Sequence, residues 1–130
     1  MQKNETDLTA INDNALVSGD NWRPLRAPFG YYGAKRRLAL QIVAALPPHN
    51  AWVEAFCGSA ALTLAKAPAQ IEVINDINGE VINFFHQLRN HSSKLCRLLK
   101  LTPYAREELK LARLPGKKLT DLERARRFFV

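Results

Sequence analysis

Two short apolar runs with a helical segment between them dominate the middle of the chain. The runs AWVEAF (51–56) and IEVIND (71–76) have the length and composition of strands. Between them lie a turn, CGSA (57–60), and an apolar stretch, ALTLAKA (61–67), which Pro68 ends because proline cannot extend a helix. The order of strand, turn, helix and strand predicts a βαβ unit.

Helical periodicity prevails on both sides of this unit. Before it, RRLALQIVAAL (36–46) predicts an amphipathic helix that the pair Pro47–Pro48 stops. After it, apolar residues recur at helical spacing through 80–89 and 93–101. The chain is therefore expected to have an α/β fold with a helix-rich carboxyl half.

Two further helices are expected near the end of the sequence. Thr102 and Pro103 are residue types favoured at an N-cap and at the first helical position, and Leu114–Gly116 (LPG) would close that helix. A capping box in TDLE (120–123) predicts a last helix through RARRFFV (124–130). Because that helix ends on three apolar residues, we expect it to expose apolar surface.

The pattern divides the chain into three parts. Residues 1–23 are mostly polar and without periodicity, and we expect a disordered tail. Residues 24–90 contain the βαβ unit, and residues 91–130 form a basic helical segment. With 130 residues, of which 47% are hydrophobic, the chain has material for about one core.

Several classes of protein and of site are disfavoured by composition. No apolar run approaches the roughly 18 to 20 residues of a membrane span, and the first residues lack a signal-peptide pattern, so a cytoplasmic protein is expected. Cys57 and Cys96 have no metal-ligand spacing with each other or with the three histidines, so we expect reduced thiols and no metal site.

Charge is unevenly distributed along the chain. Residues 1–80 carry 7 Lys and Arg against 8 Asp and Glu, whereas residues 81–130 carry 12 against 4. A basic half favours an anionic partner, of which nucleic-acid phosphate is the commonest. A solvated helix face rich in Lys and Arg explains the same charges equally well.

The βαβ unit also carries candidate chemistry. Gly58 lets the backbone approach a ligand, and Asp76, at the end of the second strand and 18 residues later, lies where ribose hydroxyls would bind. Lys35 could meet a carboxylate and Tyr31 could form an aromatic wall. Each residue also has an ordinary structural explanation, so the prediction rests on the four together.

The order YYGAK (31–35), VEAFCGSAAL (53–62) and VINDIN (73–78) resembles the Dam-like adenine-specific DNA methyltransferases. This resemblance implies a partial Rossmann-like fold that binds S-adenosylmethionine, with double-stranded DNA as the partner. Matching the family blocks residue by residue, it implies cofactor-binding roles that are assigned as follows: Tyr31 and Lys35 in the first block, Glu54, Phe56 and Gly58 in the second, and Asp76 in the third. By the same resemblance, residues 91–130 begin the target-recognition region.

The sequence departs from the family pattern at several points. Ala34, Ala55 and Ala60 replace a glycine, a proline and a glycine of the blocks, and Ala60 would weaken cofactor binding unless its φ is negative. The family's catalytic tetrapeptide, Asp or Asn followed by Pro-Pro and an aromatic residue, is absent, so no catalytic residue is assigned. We therefore expect an inactive amino-terminal fragment of a longer methyltransferase, from a restriction system or a phage.

Two other functions are compatible with parts of the same pattern. A nicotinamide or flavin oxidoreductase also uses a glycine turn and a ribose-binding acid, but its fingerprint needs three glycines and Gly58 stands alone. A non-enzymatic basic module that binds nucleic acid without a cofactor is the second alternative. Binding of S-adenosylmethionine separates the methyltransferase from both.

Overall fold

The computed structural model describes residues 22–115 and 118–130. The predicted tail therefore lies outside the described residues except for Trp22 and Arg23, which are exposed and have no regular structure. The elements in chain order are α1 (Ala39–Ala44), β1 (Ala51–Glu54), α2 (Ala61–Ala65), β2 (Ile71–Ile74), α3 (Gly79–Asn90), α4 (Ser92–Leu101), α5 (Arg106–Arg113) and α6 (Asp121–Phe129). None of the described helices is long and apolar enough to cross a membrane.

The two strands form a parallel pair joined through α2, which confirms the predicted βαβ order and an α/β architecture. Ala51 lies opposite Ile71, and Glu54 lies opposite Ile74. Because the strands run parallel, their carboxyl ends meet at one edge, where Glu54 and the residues after Ile74 lie side by side. The loops that leave this edge carry the candidate site.

One face of the strand pair is covered and the other is open. Ile74 packs against the core, whereas Val53, Ile71 and Val73 are exposed on the opposite face. Parallel sheets in folded proteins have both faces covered, and a pair of strands is marginal alone. Within the described residues this face therefore has unsatisfied packing.

The helical half has an aromatic core of its own. Phe84 of α3, Leu95 of α4 and Ala125 of α6 are buried together. The ring of Phe29 lies 5.0 Å, centroid to centroid, from both Phe84 and Phe128, nearly perpendicular to each. Edge-to-face pairs of this kind stabilise beyond their buried area by about 0.5 to 1.5 kcal/mol each.

This packing corrects the expectation that the last helix exposes its apolar end for Phe128, whereas Phe129 and Val130 are exposed as expected. Phe128 is partly buried between Phe29 and the α3 helix, and Phe129 stacks on Phe84 with centroids 5.8 Å apart. Phe129 is 39% exposed and Val130 is 38% exposed, so the last two residues still present apolar surface to solvent. The segment around Phe29, far away in sequence, supplies the surface that α6 covers.

Helix boundaries differ from the prediction at two places. The α1 helix begins at Ala39 rather than Arg36, because the Lys35 carbonyl accepts the Leu38 amide in a preceding turn. Thr102 ends α4, and its hydroxyl donates to the Leu98 carbonyl instead of capping a new helix. Pro103 pushes Thr102 into an extended conformation, so α5 starts only at Arg106.

The predicted N-cap of α6 is confirmed. The Thr120 hydroxyl accepts the Glu123 amide at 3.2 Å, as a capping box requires. The Glu123 carboxylate, however, turns to Arg126 and Arg127 at 2.8 and 3.0 Å. The pKa of Glu123 is lowered from 4.5 to about 2, and the largest cause is hydrogen bonding from Arg126.

Ion pairs account for much of the basic charge at the end of the chain. Arg124 pairs with Glu80 and Asp121, and Arg126 pairs with Glu108 as well as Glu123. These contacts tie α6 to α3 and to α5. The arginines of the last helix therefore hold helices together, and their charge is largely compensated within the fold.

Candidate functional site

The turn after β1 has left-handed backbone at two residues. Gly58 has φ +48° and Ala60 has φ +52°. Glycine adopts this region freely, whereas the same conformation costs an alanine about 1 to 2 kcal/mol of conformational free energy. The turn sends the chain from β1 into α2 directly at the sheet edge where a ligand would lie.

Asp76 holds this turn in place through both carboxylate oxygens. Its Oδ2 accepts the amide of Gly58 at 2.8 Å, and its Oδ1 accepts the amide of Asn78 at 2.9 Å. The Gly58 amide therefore faces Asp76 and is not directed at a ligand. A carboxylate has about four acceptor positions, so Asp76 keeps capacity for further donors such as ribose hydroxyls.

Glu54 stabilises the first turn of α2. Ala60 precedes the helix without a capping side chain, and Glu54 Oε2 accepts the Thr63 amide at 3.2 Å and the Thr63 hydroxyl at 2.5 Å. The indole of Trp52 donates to the same hydroxyl at 2.8 Å. Glu54 thus supplies from β1 the acceptor that an N-cap residue would normally provide.

Tyr31 packs directly on the turn. Its ring contacts the Cα side of Gly58, and its hydroxyl accepts a hydrogen bond from Asn78 Nδ2 at 3.3 Å. It also lies against the buried cluster of Cys57, Ala60 and Val81. Tyr31 is therefore both a wall of the site and part of the core below it.

A cavity of about 520 Å³ lies at this edge of the sheet, within the usual range for small-molecule sites. It is lined by all six residues that the sequence assigns to cofactor binding: Tyr31, Lys35, Glu54, Phe56, Gly58 and Asp76. They come from three separate segments of the chain. Their roles toward a ligand stay a prediction, whereas their convergence on one cavity is a property of the fold.

Two of these residues point their side chains largely into solvent. Phe56 is 83% exposed at the cavity rim. Lys35 is exposed as well, and its ammonium group lies 3.4 Å from the Gly33 carbonyl. An exposed aromatic side chain and an exposed cation at the mouth of a cavity are free to contact an incoming ligand.

The cavity has further lining residues that sequence reasoning did not assign. Tyr32 and Ile77 are both almost fully exposed at its wall. Each is the immediate neighbour of an assigned residue, Tyr31 in one case and Asp76 in the other. For Ile77 the sequence contained a signal. This apolar residue directly follows the acid that ends a strand, so its side chain must lie beyond the sheet.

The thiol of Cys57 lies among carboxylates beneath the cavity. Burial first, and then the negative charges of Asp76 and Glu54, raise the pKa of Cys57 from 9.0 to about 11. A thiol with this pKa is a poor nucleophile at neutral pH because almost none of it is ionised. Cys57 therefore contributes to packing beneath the cavity.

Ala60 does not obstruct the cavity. The sequence did not decide the sign of its φ. In the structure this φ is positive, so the backbone of the alanine is strained. Its methyl group, however, is buried with Cys57 and Val81 and only 1% of the residue is exposed. The replacement of the family glycine thus bears on the stability of the turn and leaves the ligand space free.

A family model for D12 class N6 adenine-specific DNA methyltransferases matches residues 31–114. The chain belongs to this family. A type II methyltransferase of Lactococcus lactis subsp. cremoris, M1.LlaDCHI, is 35% identical over 105 residues. That alignment covers 73% of this chain and 36% of the relative, so the chain spans about a third of the length of this relative.

The family match and the cavity coincide. Every residue that lines the cavity lies between Tyr31 and Ile77, inside the matched range. The match also extends through α3, α4 and α5, which includes Phe84 and Leu95 of the helical core. The resemblance to adenine-specific DNA methyltransferases is therefore confirmed over residues 31–114, from the cavity through α5.

Proposed function

We propose that the cavity binds S-adenosylmethionine and that this chain is the methyl-donor part of an adenine-specific DNA methyltransferase with a Rossmann-like fold. The convergence of the six motif residues on one cavity at the carboxyl ends of β1 and β2 supports the proposal most directly. Parallel α/β sheets bind their ligands at this end of the strands. The family match supports the same reaction class.

The residues present fit the polar parts of this cofactor. Asp76 has acceptor positions left after binding two amides, which suits the two hydroxyls of a ribose. Lys35 supplies an exposed cation for the carboxylate of the methionine part. Both lie at the wall of one cavity, as a single ligand with a hydroxyl-rich centre and an anionic end requires.

The apolar residues fit the adenine ring. Phe56 and Ile77 are exposed at the rim and would lose solvent contact against a planar base. Tyr31 lines the same cavity and packs against the Gly58 turn. We propose that Phe56 and Ile77 cover the adenine while Tyr31 keeps the turn closely packed.

S-adenosylmethionine supplies a sulfonium-bound methyl group, which the family is expected to pass to the exocyclic amino nitrogen of an adenine extruded from the duplex. The side chains around this cavity bind and orient that donor. The residues expected to hold the acceptor adenine are not in this sequence, so we propose that further polypeptide supplies them. The open sheet face with Val53, Ile71 and Val73, and the 36% coverage of the relative, support this.

Isothermal titration calorimetry with S-adenosylmethionine tests the proposal. We expect the full chain to bind and the Asp76→Ala variant to lose binding by at least about tenfold, because a hydrogen bond to a charged group is worth about 1.5 to 3 kcal/mol. Asp121→Ala is the matched control, since Asp121 is exposed and pairs with Arg124 away from the cavity. Equal loss in both variants, or no binding by the unchanged chain, would contradict the proposal.

Two further titrations separate the alternatives. Heat from a nicotinamide dinucleotide but none from S-adenosylmethionine would favour an oxidoreductase. Binding of a DNA duplex without any binding of S-adenosylmethionine would favour a non-enzymatic nucleic-acid module. A role in a restriction system or a phage, and a cytoplasmic location, are part of the proposal for the longer protein.

A further inference from the structure

A second set of basic residues lies near the start of the described chain. Arg23, Arg26, Lys35, Arg36 and Arg37 fall within fifteen positions, and no Asp or Glu occurs anywhere from residue 21 to residue 53. The cluster is not evident from the net charge of residues 1–80, because acidic residues before and after it cancel its charge in that total. The structure places part of it on one surface.

Three of these arginines line a second cavity, of about 510 Å³. Arg26, Arg36 and Arg37 are exposed at its wall. The buried residues Ala61 and Ala65 of α2 contribute to its lining, and Ala61 also lines the proposed cofactor cavity. The two cavities are therefore neighbours on either side of the first turn of α2.

The backbone that carries these arginines is attached to α2. The Leu25 amide donates to the Leu64 carbonyl at 2.8 Å, and Ala39, which follows the pair Arg36 and Arg37, is buried beside the second cavity. Arg26 is next to the first of these anchors in sequence. The guanidinium groups therefore extend from a framework that is fixed relative to the cofactor cavity.

The charge of this cluster is uncompensated within the part of the chain that the structure describes. Arg26, Arg36 and Arg37 have no carboxylate within ion-pair distance among residues 22–115 and 118–130. In the last helix the opposite holds, since Arg124, Arg126 and Arg127 are each paired with acids. The last helix thus has less charge available for an external anion than the cluster near α1.

We propose that Arg26, Arg36 and Arg37 bind phosphate groups of the double-stranded DNA backbone beside the cofactor cavity. This inference rests on the proposed function, in which DNA is the substrate. Guanidinium groups match phosphate oxygens geometrically, and contacts of this kind fix the position of a duplex without reading its sequence. Bound here, the backbone lies next to the cavity from which the methyl group would be delivered.

Salt-dependent DNA binding tests this proposal. The affinity of the full chain for a fluorescein-labelled duplex of about 20 base pairs is measured by anisotropy between about 50 and 200 mM KCl, without cofactor. We expect the triple variant Arg26→Ala, Arg36→Ala, Arg37→Ala to bind at least about tenfold more weakly at the low-salt end. The slope of log K against log[salt] should become shallower by up to about 2.7, at about 0.9 per phosphate contact.

The matched control removes one charge from another exposed residue outside residues 91–130, which the family resemblance assigns to target recognition. Arg89 on α3 is exposed, and its Nε donates to Asn90 Oδ1 at 3.2 Å. Arg89→Ala should keep the slope of the unchanged chain, whereas each single Arg→Ala variant of the cluster loses about 0.9. An Arg89→Ala variant that loses as much slope as the single cluster variants would show that only net charge matters, and would overturn the proposal.

Two further variants and a second salt remove the remaining ambiguities. The triple Arg→Lys variant should keep the salt slope of the unchanged chain. Each single Arg→Ala variant should have a slope shallower by about 0.9, so the test stays decisive if the triple alanine variant fails to fold. Potassium phosphate should displace DNA no more strongly than KCl at equal ionic strength. Stronger displacement would reveal a pocket for free phosphate and overturn a backbone surface, and tighter binding of RNA than of duplex DNA would do the same.

The outcomes separate this proposal from the proposed function. If the chain binds S-adenosylmethionine but the cluster variant keeps the full slope, only the arginine proposal fails. If the chain binds no S-adenosylmethionine while the cluster variant loses slope, only the proposed cofactor site fails. An unchanged chain without measurable DNA affinity at low salt overturns the arginine proposal directly.

Discussion

The ring of Tyr31 covers Gly58 so closely that a Cβ on Gly58 would lie 2.7 Å from Tyr31 Cδ1 and 3.3 Å from Cε1. Gly58 also has a φ of +48°, which a side chain rarely tolerates. Its amide is held by Asp76 at 2.8 Å. Packing against Tyr31 therefore requires glycine at this position and the positive φ favours it, while the hydrogen bond to Asp76 fixes the backbone around which the proposed cofactor site is built.

Gly58→Ala should destabilise the chain by about 2 to 4 kcal/mol, because backbone strain adds to a clash with an aromatic ring. Urea unfolding measures this. Ala60→Gly, in the same turn, is the control: relief of strain is offset by loss of a buried methyl group and by backbone entropy, so we expect a change within about 1 kcal/mol. A Gly58→Ala variant as stable as the unchanged chain would show that the turn repacks.

Thr63 joins the start of α2 to β1 through a shared hydroxyl. Thr63→Val should cost about 1 to 3 kcal/mol in urea unfolding, because Glu54 loses a donor and the Trp52 indole loses its acceptor. Thr63→Ser keeps the hydroxyl and should recover most of the loss. Should Val and Ser variants be equally stable, the hydroxyl contributes nothing.

Acid should weaken the contacts of α6. The folded-state pKa of Glu123 is about 2, below its ordinary value of 4.5, so its ion pairs stabilise fully above pH 4.5 and the contribution disappears as the pH falls toward 2. Partial exposure limits this contribution to about 1 to 2 kcal/mol. Glu123→Gln should lower stability at pH 7 and leave a flatter profile of unfolding free energy between pH 5 and pH 2.

The Glu123 profile has a clear control. Glu107 is highly exposed and, among the residues that the structure describes, pairs only with Lys110 in the neighbouring turn, so Glu107→Gln should leave the acid profile almost unchanged. If Glu123→Gln retains the same loss of stability below pH 4.5 as the unchanged chain, another carboxyl group is responsible for it.

The two cysteines should differ in reactivity. Cys96 is exposed on α4, whereas Cys57 is buried and its pKa is raised to about 11. We expect N-ethylmaleimide at neutral pH to label Cys96 promptly and Cys57 only after unfolding, as peptide mass spectrometry would record. Cys96→Ser isolates Cys57 for this measurement, and prompt labelling in that variant would mean that the cavity floor opens readily.

Local features of the site were predictable from the sequence. The apolar runs that include Glu54 and Asp76 have the length of strands, and the helix between them predicts that the two strands run parallel. The βαβ unit, and the sheet edge that carries the candidate site, therefore follow from the pattern alone. The family blocks added Glu54 and Phe56 to the same site. These features depend on residues that are neighbours in sequence or belong to a recurrent motif.

Contacts between distant segments were not predictable in this way. Thr102 has the residue type of an N-cap, yet its hydroxyl bonds back to Leu98 because Pro103 holds it extended. Phe128 was expected in solvent because no nearby residue covers it. Phe29, 99 positions earlier, does so in the folded chain.

The sequence by itself determined the order of elements, the glycine and acid of the proposed cofactor site, and the family. Only the tertiary structure decided that Asp76 uses two of its acceptor positions to bind backbone amides of the turn and that the arginines of α6 are paired with acids. It also decided that, within residues 22–115 and 118–130, the arginines beside α1 have no acidic partner. The reason is physical. Composition counts charges and polar atoms, but which of them remain available to a partner depends on the groups that folding brings within hydrogen-bonding distance.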